Sequence, residues 1–142
     1  MIKIRHTGIV TRNLKRSLLF WEKLIGFKEV NSQIESGNLI DSVLGYKNVK
    51  VKTIKLKDKK KNLIELLYFY NSPKFVKRKI DPYTLGYTHI SITVKNIDSM
   101  YQNLKKKKIK FNSRPQITSD KKHKMTYCKT PEGAFLELVE EL

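Results

Sequence analysis

The chain repeats itself, and nothing else about it limits the fold so strongly, because each copy of an internal repeat must make the same local structure. RHTGIVTRNLKRSLLFWEKLIGFKEV (5–30) lies over THISITVKNIDSMYQNLKKKKIKF (88–111). Each copy begins with a histidine, runs through an alternating strand pattern, and reaches an asparagine seven residues later: His6 leads to Asn13 and His89 to Asn96. Each asparagine opens a helical pattern, and its short amide oxygen suits an N-cap.

In the first helix Leu14, Leu18, Trp21 and Ile25 are spaced to share one face, and in the second Ile97, Tyr101 and Leu104 do the same. Gly26 is placed to stop the first. The second ends in four lysines, which suit the negative end of a helix dipole. Strand-like stretches follow each helix: 27–34, 49–56 and 62–69 in the first half, and 109–113, 123–130 and 134–141 in the second. KDKKK (57–61) and TPEG (130–133) read as turns. Each half therefore reads β-α-β-β-β, an α+β chain of two modules, 1–70 and 87–142. A linker, 71–86, carries two prolines and room for one helical turn.

A length of 142 residues suits one domain of this kind. Chains of about 150 residues bury roughly 70% of their unfolded surface, enough for a hydrophobic core. No apolar run reaches the roughly 18–20 residues of a membrane span. The apolar part of MIKIRHTGIV is too short for a signal peptide. The single cysteine, Cys128, cannot form an internal disulfide and reads as packing, so a reducing cytoplasm is the expected location. The net charge of +17 favours anionic partners. Its lysines are scattered through turns and helix ends, and lysine dominates over the arginine that reads bases, so nucleic acid is not the expected partner.

The repeat also aligns Glu65, in NLIELLYF (62–69), with Glu137, in AFLELVEE (134–141). Alternation puts Ile4, His6, Gly8 and Val10 on one strand face, Leu63, Glu65 and Leu67 on another, and Phe135, Glu137 and Val139 on a third. An ionised carboxylate on an apolar face is costly unless it is paired or bound to metal. One histidine near a strand start, or one glutamate in a strand, would ordinarily be a solvated side chain. Four such residues related by a repeat suggest a divalent metal site for Zn, Ni, Co, Mn or Fe(II). His123, in KKHK, is expected in a charged loop and outside that set.

HTGIVTRNLKRSLLFWEKLIGF, GYTHISITVKNIDS and TPEGAFLELVE, in this order and duplicated, resemble the vicinal oxygen chelate superfamily over nearly the whole chain. That superfamily includes glyoxalase I, methylmalonyl-CoA epimerase, extradiol dioxygenases and fosfomycin and bleomycin resistance proteins. The resemblance implies two βαβββ modules forming an incomplete barrel around one divalent metal ion. It implies ligands from the first and last strands of each module, here His6, Glu65, His89 and Glu137. A homodimer is implied as well.

Among the subtypes, glyoxalase I uses four ligands, the last glutamate also serving as base. Extradiol dioxygenases need only two histidines and one carboxylate and have longer chains. Fosfomycin resistance enzymes place their middle histidine elsewhere, and bleomycin-binding proteins generally lack the ligands. The epimerase is the nearest alternative, but it requires a further carboxylate where LGYKNV (44–49) carries Tyr46, and a longer insertion before the last strand. The resemblance therefore implies a lyase or isomerase of the glyoxalase I type. It implies Glu137 as the proton shuttle and, with the positive charge, a small anionic substrate such as a glutathione hemithioacetal or a CoA thioester. Arg12, Tyr46, Arg114 and Lys121 are the substrate-binding candidates. A non-catalytic protein that sequesters a ligand in the same cleft is the alternative from another class.

Overall fold

The computed structural model describes residues 1–71 and 79–142. The chain divides into two compact units, 1–77 and 78–142, each built around its own sheet. The expected helical turn in the linker falls largely on residues outside those described.

Unit 1 runs β1 (Thr7–Val10), α1 (Leu14–Leu18), a π-helical continuation (Leu19–Ile25), β2 (Lys28–Ser36), α2 (Asn38–Leu44), β3 (Lys50–Lys57) and β4 (Leu63–Phe69). Its sheet has the order β1-β4-β3-β2, with β1 parallel to β4 and the other pairs antiparallel. Unit 2 runs β5 (His89–Thr93), α3 (Ile97–Lys106), β6 (Gln116–Ile117), β7 (His123–Lys129) and β8 (Phe135–Glu141). Its order, β5-β8-β7-β6, repeats that of unit 1, with the same parallel first pair. The βαβββ expectation thus holds in each half, with α2 as an unexpected addition to the first.

Both helices start as the asparagines require. Asn13 Oδ1 accepts from the Arg16 amide at 3.0 Å, and Asn96 Oδ1 from the Ser99 amide at 2.8 Å. Gly26 ends the first helix with φ of 97°, a left-handed conformation natural to glycine. The helix before it does not stay regular. Gly26 and Phe27 both donate to the Trp21 carbonyl, which widens the turn and shifts the inward face. Ser17, Phe20 and Trp21 are the buried positions; Leu14, Leu18 and Ile25 are only half-buried. Ile97, Tyr101 and Leu104 of α3 are all buried, as their spacing predicts.

The core of each unit lies between its helix and one face of its sheet. In unit 1 the buried strand residues Ile54, Leu56, Ile64 and Leu66 alternate along β3 and β4. In unit 2 Thr126, Cys128, Leu136 and Leu138 do so along β7 and β8. The glutamates point to the other face, because side chains alternate along a strand.

Three expected boundaries move. The first strand begins at Thr7, so Ile4 and His6 precede it, and Ile4 is fully exposed rather than part of an apolar strand face. Val10 is exposed too. Residues 109–113 contribute only an isolated bridge, Phe111 to Cys128, and the strand forms later, at Gln116–Ile117. His123 opens β7 instead of lying in a loop.

Candidate functional site

Register explains why each unit brings a histidine to a glutamate. In β1/β4, Gly8 stands opposite Glu65; in β5/β8, Ser91 stands opposite Glu137. Each histidine lies two residues earlier, on the same side of its chain, so its ring reaches along the sheet to the carboxylate. His6 Nε2 lies 3.7 Å from Glu65 Oε1, and His89 Nε2 lies 3.9 Å from Glu137 Oε2. Both carboxylates are largely covered, their side chains 12% and 13% exposed.

These gaps are too long for hydrogen bonds. His6 with Glu65, and His89 with Glu137, would offer a divalent ion one nitrogen and one carboxylate donor from each unit. The second ring nitrogen differs between the pairs. The His6 Nδ1 atom is buried with no hydrogen-bond partner among the described residues, so nothing there orients the ring. His89 Nδ1 contacts Thr88 Oγ1 at 2.9 Å, which fixes that ring and leaves Nε2 facing the carboxylate. In each unit an imidazole and a carboxylate, both donors that first-row divalent ions accept, stand side by side. Among the described residues, no group of three or more His, Cys, Asp or Glu gathers within metal-holding reach; the structure presents two pairs.

The pairs differ in what stands across the next strand. Lys55 is directly opposite Glu65 on β3, and its Nζ lies 3.6 Å from Glu65 Oε2. Tyr127 is directly opposite Glu137 on β7 and hydrogen-bonds it. Burial pushes the Tyr127 hydroxyl pKa up, and the Glu137 charge and hydrogen bond add to that effect. Tyr127 therefore stays neutral as a donor. Tyr127 also packs edge-on against the His89 ring, centroids 5.3 Å apart. One glutamate has a cationic neighbour and the other a neutral one.

Both neighbours escaped the sequence reading, although a signal existed. A hairpin closed by KDKKK sets Lys55 opposite Glu65, and one closed by TPEG sets Tyr127 opposite Glu137.

Of the four substrate-binding candidates, Tyr46, Arg114 and Lys121 have no contact with a His–Glu pair among the described residues. Arg12 is exposed between β1 and α1, and Tyr46 is exposed after α2. Arg114 lines a recess of about 510 Å³ with Asp98, Tyr101, Gln102 and Lys105. Lys121 is exposed in the turn before β7. A larger cavity, about 870 Å³, opens at His6, and Lys55 is in its wall. Cys128 is buried completely, and burial pushes its thiol up to about 12, so it has no nucleophilic thiolate at neutral pH.

Comparison with known proteins gives a consistent result. Residues 3–138 match the model of the Glyoxalase/Bleomycin resistance protein/Dioxygenase superfamily. A lactoylglutathione lyase from Schizosaccharomyces pombe is 24% identical over 98% of this chain and 47% of the yeast protein, so the chain spans about half its length. YwbC, an uncharacterised protein from Bacillus subtilis, is 24% identical over 95% of this chain and 94% of its own. A glyoxalase family protein from Bacillus cereus superposes with a TM-score of 0.90 at 23% identity, over 100% of this chain and 95% of that one. The trypanothione-dependent glyoxalase I of Leishmania major superposes with a TM-score of 0.67 at 18% identity, over 99% and 88%.

Proposed function

The chain belongs to the Glyoxalase/Bleomycin resistance protein/Dioxygenase superfamily, and from that premise we propose that it is a metal-dependent lyase or isomerase of the glyoxalase I type. The observation that carries this reading is the duplicated His–Glu pair, with gaps of 3.7 and 3.9 Å on largely covered carboxylates. His6, Glu65, His89 and Glu137 are the proposed ligands, and the proposed working form is a cytoplasmic homodimer.

When bound, a divalent ion supplies Lewis acidity toward a substrate carbonyl. The chain's own groups do the rest. Glu137 takes the proton from the carbon that bears the hydroxyl and sulfur and returns it to the former carbonyl carbon, while the hydroxyl proton passes to the former carbonyl oxygen, so the hemithioacetal becomes a thioester with no net gain or loss of atoms. Tyr127 holds the Glu137 carboxylate by its hydroxyl, and Thr88 holds the His89 ring. Lys55 opposes the charge of Glu65, whereas the neighbour of Glu137 is neutral, so Glu137 is the proposed shuttle.

Hemithioacetals of methylglyoxal with glutathione and with other thiols test the reading, with thioester absorbance as the readout and Zn, Ni, Co or Mn added. The metal-loaded parent should turn over at least one of them. Glu137→Gln should lose about a hundredfold or more, the scale of a positioned general base. Undiminished turnover in Glu137→Gln would refute the assignment of the shuttle.

A further inference from the structure

The cavity at His6 has walls of one sign. Lys3, Arg5, Lys55, Lys60 and Lys61 line it, and no aspartate or glutamate does among the described residues. Like charges lining one recess repel one another. The fold nevertheless fixes the backbone that carries two of them. The turn between β3 and β4 is tied by Asp58, whose Oδ1 accepts from the Lys60 and Asn62 amides, each at 2.8 Å. Asp58 Oδ2 accepts from the Asn62 side chain, also at 2.8 Å. The Asp58 carboxylate is thus used by the turn backbone. Lys61 sits at φ of 70°, a left-handed conformation that is uncommon for lysine. A rigid turn that carries adjacent lysines into a concave basic wall is preorganised for an anion.

We propose that this cavity binds the phosphorylated end of a small-molecule substrate, a group with at least two linked phosphates, whose reacting end lies at the His6–Glu65 pair. The location of the reacting end rests on the function proposed above; the phosphate site does not. Charge decides the class. A glutathione-type conjugate carries an ammonium group beside its carboxylates, and the one carboxylate beside the wall, Glu65, already faces Lys55 and His6. A polyphosphate has no such need. Lysine binds phosphate as a point charge and tolerates several orientations of it. The volume of about 870 Å³ suits a small molecule and is too confined for a duplex backbone.

The test is calorimetric titration of the full chain, kept metal-free with a chelator, at fixed ionic strength. The probes are inorganic pyrophosphate, coenzyme A, glutathione and a short oligothymidylate. Pyrophosphate should bind at one per chain, with glutathione much weaker. Coenzyme A binding more tightly than pyrophosphate would identify a nucleotide-linked source for the phosphates; equal affinity would identify a free one. A Lys60→Gln, Lys61→Asn double variant should weaken pyrophosphate at least tenfold, about the worth of one lost charge-assisted hydrogen bond. Asparagine tolerates the left-handed backbone, so the turn should survive, and the melting temperature checks that. Lys106→Gln, on α3, should change nothing.

Absence of pyrophosphate binding at millimolar concentration would overturn the proposal, as would unchanged binding in the double variant. So would glutathione or oligothymidylate binding as tightly as pyrophosphate. Glu137→Ala separates the two readings: it should keep pyrophosphate binding even though its metal site is disabled.

Discussion

Lys55→Met should make the protein bind a divalent ion more tightly while making the metal-free form less stable. In the metal-free chain the Lys55 ammonium is the counterion of Glu65, 3.6 Å away, with side chains 27% and 12% exposed. Two unit charges at that separation attract by about 4–5 kcal/mol at an effective dielectric of about 20. Partial hydration of the lysine, and the entropy lost in holding it, cancel most of this, so about 1–1.4 kcal/mol is the net expectation. Removing the cation leaves a largely covered carboxylate without its partner, which costs the metal-free fold that amount. A metal ion ligated by Glu65 supplies the charge instead, so the metal-bound form loses much less. Linkage then requires metal affinity to rise by the difference, about five- to tenfold. Melting with and without chelator, and competition against a chromophoric chelator, measure both sides. Equal or weaker metal binding in Lys55→Met would refute the claim that Glu65 is a ligand.

Other expectations follow from the same structure. Asn13→Ala and Asn96→Ala should each cost about 1 kcal/mol in denaturant unfolding, and the costs should add, because each removes one cap in a different unit. Cys128 should not react with a thiol reagent at pH 8 in the native state and should react fully in denaturant, given complete burial and a thiol near 12. Rapid native labelling would mean that β7 opens readily. The Glu137→Gln loss of turnover completes the set, and its failure would return the shuttle role to Glu65.

Features set by local sequence were legible in advance. The helix caps at Asn13 and Asn96 need only a short side chain and the next three residues. The hairpins around KDKKK and TPEG follow from turn chemistry and alternation. The repeat aligns His6 with His89 and Glu65 with Glu137, and each histidine does lie beside the glutamate of its own unit. Features that depend on packing were not legible. Helical spacing could not reveal that the first helix widens at Trp21 and brings Ser17 and Phe20 inward. Alternation placed Ile4 in a strand, but β1 has only Thr7–Val10 paired to β4. Arg12, Tyr46, Arg114 and Lys121 were chosen by charge and residue type, which carry no register. Lys55 and Tyr127 have register, and it places them beside the carboxylates.

The proposed function stands or falls on a divalent ion held by the proposed ligands His6, Glu65, His89 and Glu137. Elemental analysis tests it most directly, on protein purified without chelator or nickel affinity resin, with His6→Ala and His89→Ala variants in parallel. The account predicts about one divalent ion per chain in the parent and its loss in both variants. A parent that is empty and takes up no added metal would contradict it, and so would a variant that keeps a full equivalent.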